Sequence, residues 1–177
     1  MRIKKVLNSS VVLVEDDAHQ ESILLGKGIG YGQKPGNVIA QRQENQVFLP
    51  VDNARSRQIV ELVNSLPVAI LELAQEIVID AQQRLKTPLG ENLVFVLADH
   101  LNFALERIRT GMVITNRVFC VIKSFYPQEF EAGLHAVEQV RQRLGVELPE
   151  QESGWLRRKR DRRSAVGVVQ RSAQRVL

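Results

Sequence analysis

The sequence predicts an α+β multidomain chain, with a small all-β domain first and an all-α helical bundle after it. Three observations carry this. Short apolar runs separated by turn residues extend as far as Val51. Near Ser56 the apolar spacing changes to that of a helix. With 177 residues and 44% hydrophobic content, the chain is long and apolar enough for one large or two small globular domains.

Residues 2–51 read as β. Arg2 to Leu7 makes a first strand, and Asn8-Ser9-Ser10 is a turn signal. Val11-Val12-Leu13-Val14 is continuously apolar, so both faces of that strand need cover. Glu15 to Gln20 is a polar turn into the strand Ser22-Ile23-Leu24-Leu25. Val47 to Val51 is a last short strand, and Pro50 places it at a sheet edge or end, because proline has no N–H for the ladder. A piece of roughly 55 residues buries only a modest core. Strands apolar on both faces therefore predict a second subunit, with a dimer formed through this domain.

Between the last two strands lies Gly26-Lys27-Gly28-Ile29-Gly30-Tyr31-Gly32-Gln33-Lys34-Pro35-Gly36, which holds five of the eleven glycines. The G-x-G-x-x-G dinucleotide fingerprint fails there, since its last position falls on Tyr31 or Gln33. The G-x-x-x-x-G-K-[ST] phosphate loop fails as well, with Glu21 at its first glycine and Gly28 after Lys27. Two readings remain: a glycine-rich turn between strands, and a loop that grips a flat, anionic ligand. For the second, single-stranded or looped RNA is the natural ligand, because its bases stack on aromatics and expose their edges. Tyr31 offers a stacking face, Asn8 and Ser10 offer edge-reading groups, and Lys5, Lys27 and Lys34 offer phosphate contacts.

The helical half begins with a short helix from Arg57 to Ser65, ended by Leu66-Pro67. A second helix starts at Val68 and carries Leu71, Ala74, Ile77, Val78, Ala81 and Leu85. Thr87-Pro88-Leu89-Gly90 breaks it. Leu93, Leu97, Leu101, Ala104 and Ile108 stripe the next helix, and Thr110-Gly111 closes it. Asn116 to Phe125 is expected to be helical, stopped by Tyr126-Pro127. Glu129 to Leu144 carries Phe130, Leu134, Val137 and Val140 and ends at Gly145.

Charge is uneven: net +1 over residues 1–55, −3 over 56–150 and +6 over 151–177. The basic balance thus comes from the tail and does not support nucleic-acid binding by the rest. Trp155 to Arg163 is a dense basic run, read as a solvated segment or as a nonspecific polyanion contact. Cys120 is the only cysteine, so no intrachain disulfide forms and a cytoplasmic location is expected. There is no run of about 18 apolar residues to span a membrane. His19, His100 and His135 lie far apart, no zinc spacing appears, and neither a metal nor a cofactor is expected. No nucleophile–base order or paired-carboxylate spacing is present, so the chain is not read as an enzyme. His100, preceded by Asp99, falls on the apolar side of its helix. It is either a hydrogen-bonded core histidine or a partly shielded imidazole that is phosphorylated or acts as a base. His19 and His135 read as surface residues.

Three stretches, IKKVLNSSVVLVEDD, LLGKGIGYGQKPG and ENQVFLPVDN, resemble the co-antiterminator RNA-binding domain of the BglG/SacY family of transcriptional antiterminators. LADHLNFALER and IKSFYPQEFEAGL…RLGVELPEQESG resemble the first phosphotransferase-system (PTS) regulation domain of the same family. The resemblance implies a small antiparallel-sheet RNA-binding domain over 1–55, a helical-bundle regulation domain over 56–154 and an atypical basic tail over 155–177. It implies a homodimer that binds an imperfect hairpin in nascent leader mRNA and prevents a terminator hairpin in a sugar-utilisation operon. The RNA contacts carry over onto Lys5, Asn8, Gly26, Lys27 and Tyr31, with Ser10 where the family usually has asparagine. The phosphorylated histidine carries over onto His100, with the phosphocarrier and sugar permease of the phosphotransferase system as further partners.

The resemblance lapses after Gly154, where the family continues with an apolar helix bearing a second histidine and then a second regulation domain. From this an incomplete regulation domain, a loosened bundle and blunted sugar control are expected. The alternative is a non-functional or interaction-only remnant that pairs with an intact paralogue.

Overall fold

The structure, a computed structural model, describes residues 1–39, 47–50, 53–90, 92–111 and 126–148. Strands β1 (Arg2–Asn8), β2 (Val11–Glu15), β3 (Glu21–Leu25) and β4 (Val47–Pro50) form one antiparallel sheet in chain order. Ser9 and Ser10 make the tight β1–β2 turn, and two irregularities in β1 bring Asn8 opposite Val11. Val11 in turn faces Leu25, so the turn and the end of β3 share one end of the sheet. The Glu15–Gln20 turn is tied by Asp16, whose carboxylate accepts the Ala18 and Gln20 amides, each at 2.9 Å. β4 is an edge strand and Pro50 is its last residue, as the missing N–H requires.

One side of the sheet is built on Ile3, Val12, Val14 and Leu24, with Met1, Val6, Ile29 and Ile39 packed against them. Ile29 and Ile39 belong to the glycine stretch and its continuation, so that stretch is part of the core's roof. It is more than a turn from β3 towards β4. Its return leg runs along the outer edge of β1: Gly36 N–H donates to Ile3 O (2.8 Å), Ile3 N–H to Asn37 O (2.8 Å) and Ile39 N–H to Met1 O (3.0 Å). Gly30 sets the approach. A Cβ there would lie 2.2 Å from the Asn8 carbonyl oxygen, so only glycine seats the loop against β1.

The alternate residues Val11, Ile23 and Leu25 are also fully buried, at 0% exposure. The sequence predicts a second subunit from this two-sided apolarity. Here both sides are buried within a single chain, because helices that follow in the same chain reach the sheet. Glu72 and Gln75 bond to the Ser10 hydroxyl and the Leu25 carbonyl.

The helices are α1 (Asn53–Ser65), α2 (Val68–Leu85), α3 (Leu93–Arg109) and α4 (Pro127–Leu144). α1 begins four residues before the expected Arg57. It is separated from α2 by a 111° bend at Leu66-Pro67, where the Pro67 carbonyl accepts the Ile70 and Leu71 amides and opens the next helix. The predicted α2 stripe is buried at Leu71, Ala74, Ile77, Val78 and Ala81. α3 ends as expected, with Thr110 N–H on Glu106 O and Gly111 left-handed at φ +72°. α4 starts two residues early because Pro127 suits the first helical turn, and it ends at left-handed Gly145. The Asn116–Phe125 helix, Cys120 and the basic tail lie outside the described residues. Among those described, no single helix is long and apolar enough to cross a membrane. One compact unit takes in the described residues of 1–80 and 91–112, and a second takes in those of 81–90 and 113–177.

Leu24→Ala removes a fully buried side chain from the centre of the sheet core and is expected to cost about 2–5 kcal/mol in urea unfolding. Val38→Ala, at a 72%-exposed position, is expected to stay within about 0.5 kcal/mol. Gly30→Ala is expected to cost about 1–3 kcal/mol through overpacking and to speed amide exchange at Gly30 and Gly36 more than at Leu24.

Candidate nucleic-acid interface

The candidate surface is assembled at the sheet end where β1 turns into β2 and β3 leaves the sheet. Asn8 closes an Asx turn: its Oδ1 accepts the Ser10 N–H at 2.9 Å. Among the described residues no partner is recorded for its two Nδ2 donors, and the side chain is half-buried. The glycine loop is laid beside this turn by backbone bonds. Gly26 N–H donates to Ser10 O (2.9 Å) and Gly30 N–H to Ser9 O (2.9 Å). Tight turns follow, with Ile29 N–H on Gly26 O and Tyr31 N–H on Gly28 O, both 3.1 Å. Gly28, at φ +71°, lets the loop curl outward at this point.

The loop carries several side chains outward. Tyr31 is 81% exposed, the most exposed large hydrophobic residue described. A ring held so far out of the loop has a face open for stacking. Lys27 and Lys34 are exposed on the same loop. Lys5 is exposed on β1, three residues from Asn8, roughly 10 Å along the strand. Its neighbour Lys4 differs: its ammonium sits 2.6 Å from Glu21 and 3.4 Å from Glu15, and hydrogen bonding to Glu21 raises its pKa. Lys5, Lys27 and Lys34 have no ion pair among the described residues, so their charge is open to an anion.

Of the six sequence-predicted contact residues, Asn8, Gly26, Lys27 and Tyr31 come together around this turn and loop, and Lys5 lies further along β1. Ser10 occupies a different position from the one expected of an edge-reading side chain. It is completely buried, and its hydroxyl donates to Glu72 Oε1 at 2.6 Å. The same oxygen accepts the Gly28 N–H at 3.5 Å, the long limit of a hydrogen bond. Ser10 therefore lies beneath the surface and joins its two halves. Sequence reasoning missed Gly30, which was one glycine among five. It also missed Glu72 and Gln75, although a carboxylate and an amide amid the buried Leu71, Leu73 and Ala74 were a visible signal.

His100 stands at the margin of α3's buried face. The buried positions are Leu93, Val94, Phe95, Leu97, Ala98, Leu101, Ala104 and Leu105, while Val96 and Phe103 are 42% and 49% exposed. His100 is accordingly half-buried and is not a core histidine. Burial pushes the Asp99 carboxyl up from its ordinary value, and the neighbouring imidazole draws it partly back. Arg107 lies over the Phe103 ring, 4.9 Å from its centre. His135 is exposed. His19 is exposed too, but its Nδ1 contacts Glu15 at 2.5 Å.

Comparison with known proteins matches residues 1–57 to the CAT RNA binding domain and residues 75–157 to the PRD domain. The chain is 32% identical over 156 residues to the β-glucoside operon antiterminator of Dickeya chrysanthemi, covering 88% of this chain and 55% of that protein. It is 30% identical over 156 residues to the transcription antiterminator LicT of Bacillus subtilis, covering 88% and 56%. It thus spans about half the length of these relatives. The crystal structure of GlcT CAT-PRDI superposes with a TM-score of 0.80 at 27% identity, covering 88% of this chain and 92% of that one. The sheet with its glycine-rich loop, and the helices that follow, fit these matches: the chain joins a CAT RNA binding domain to a PRD domain and is similar to transcription antiterminators.

Proposed function

We infer that this chain binds a hairpin in leader mRNA and acts in antitermination of a sugar-utilisation operon. The observation that carries this reading is the ordered loop at Gly26–Tyr31, which holds an 81%-exposed aromatic beside unpaired lysines and the free amide donors of Asn8. Each part has a distinct task. Tyr31 stacks on a splayed base, Asn8 reads a base edge, and Lys5 and Lys27 neutralise phosphates. The exposed Gly28 allows the sugar–phosphate chain to approach the backbone, while Gly26, buried and bonded to the Ser10 carbonyl, anchors the loop. Ser10 contributes by position, as the residue that fixes Asn8 against the loop.

An RNA hairpin held in this way blocks the terminator hairpin that shares its nucleotides, and transcription continues. Two copies of the surface on a homodimer double the contact with the RNA. The half-buried His100 is the proposed phosphorylation site, accessible at the margin of α3 and next to a carboxyl that can orient its ring. The phosphate donors are phosphotransferase-system proteins.

Gel shift with a β-glucoside-operon leader hairpin tests the first half of this reading. Tyr31→Ala is expected to weaken binding by about 1–3 kcal/mol, the worth of one stacked base. Lys27→Ala is expected to lower the salt slope of log K by about 1. Binding unchanged by both substitutions sinks the assignment. For the second half, phosphoryl transfer from the phosphocarrier is expected to label the native chain and to be lost in His100→Ala while His135→Ala keeps it. Equal labelling of all three chains places the modification elsewhere.

A further inference from the structure

Ser10 makes four hydrogen bonds, and three of them belong to the proposed RNA surface. Its N–H holds Asn8 Oδ1 (2.9 Å), its carbonyl holds Gly26 N–H (2.9 Å), and its Oγ faces Gly28 N–H (3.5 Å). The fourth leaves the surface: the hydroxyl proton goes to Glu72 Oε1 on α2, 62 residues away, at 2.6 Å. A hydroxyl has one proton and a free rotor. A bond this short to a carboxylate is charge-assisted and commits that proton. The oxygen lone pairs are then turned to the Gly28 amide. Without the carboxylate, the proton is free to swing toward the loop and oppose the N–H it now accepts. One turn along the same helix face, Gln75 Nε2 donates to the carbonyl of Leu25, the residue directly before Gly26, at 3.4 Å. Helix α2 therefore holds the root of the loop at two points.

We propose that Glu72 is a positioning residue for the RNA-binding loop, holding Ser10, and through it Asn8, Gly26 and Gly28, in the arrangement that receives RNA. The inference rests on the reading of this surface as an RNA site. It adds a route by which the helical half acts on RNA affinity: a shift of α2 loosens the loop without touching any RNA-contacting side chain. The charge of Glu72 acts in the opposite direction, because a carboxylate beneath a phosphate-binding surface repels the ligand. Substitutions that separate the two effects therefore decide the role. Glu72→Gln keeps an acceptor for the Ser10 hydroxyl and removes the charge. Glu72→Ala removes both.

The test uses the full chain and two readouts. In amide exchange without RNA, Glu72→Ala is expected to speed exchange at Ser10, Gly26 and Gly28 by about tenfold or more, with Val12 and Leu24 unchanged, and Glu72→Gln is expected to stay near native. In hairpin binding, Glu72→Ala is expected to weaken affinity about tenfold, with Glu72→Gln equal to native or tighter. Ser10→Ala combined with Glu72→Ala is expected to bind no worse than Ser10→Ala alone, since both act through one bond. Equal losses from Glu72→Ala in both backgrounds overturn the proposal, as do tighter binding by both Glu72 variants or unchanged exchange. Should Glu72→Ala unfold the chain, Glu72→Asp, which keeps the charge and withdraws it by one methylene, is expected to show the same loosening. If the native chain fails to bind the hairpin, the RNA assignment fails, and the exchange series still decides whether Glu72 positions the loop.

Discussion

One buried hydroxyl, that of Ser10, links helix α2 to the glycine loop. A buried polar side chain must find partners or its burial is costly. The Ser10 hydroxyl finds them in Glu72 of α2 and in the Gly28 amide, while its backbone N–H and carbonyl hold Asn8 and Gly26. The two short segments of the candidate surface, residues 8–10 and 26–31, are brought together by the pairing of Val11 with Leu25. The Ser10 bonds then set their mutual geometry. Much else in this part of the molecule supports that node: the tight β1–β2 turn, the close seat of Gly30 under Asn8, and Ile29 packed into the sheet core.

The surface also illustrates how a small sheet distributes charge. Lys4 and Lys5 are adjacent in sequence, and the irregularity in β1 between Ile3 and Lys5 breaks strict alternation there, so each is set by its own neighbours. Lys4 is absorbed by Glu21 and Glu15, whereas Lys5 is left to solvent. Net charge over the first 55 residues is only +1, so the local field depends on which lysines are paired and where they stand. The exposed Tyr31 ring suits such a surface, because an aromatic face attracts flat groups without adding positive charge.

Much of the fold was legible in local pattern. Apolar runs and turn residues located the strands. Helical spacing located α2 and α3 to within a residue or two, and Gly111 and Gly145 marked helix ends by their left-handed conformation. Of the candidate site, the parts that depend on a residue's own chemistry were legible: glycine freedom, lysine charge and an exposed ring. What escaped depends on partners distant in sequence. Ser10 reads as an exposed turn residue until Glu72 is seen above it. His100 reads either as a core histidine or as a partly shielded imidazole, and the two separate only when the apolar arc of α3 proves wider than the core that it serves, leaving Val96 and Phe103 outside and His100 half-buried. Two-sided apolarity reads as a need for a second subunit, whereas here helices of the same chain reach the sheet: the sequence shows that a face needs cover without showing what covers it.

The return leg of the glycine loop, hydrogen-bonded along β1 from Gly36 to Ile39, has a consequence for how this surface can change over evolution. It occupies the backbone groups that an open strand would offer to neighbouring molecules, so the ligand loop also guards against edge-to-edge aggregation. A loop with that second duty cannot freely gain or lose residues, because a one-residue slip would turn Ile39 away from the core and reopen the edge. Change is therefore channelled into side-chain exchange at the outward positions 27, 31 and 34, which leaves the hydrogen bonds along β1 intact.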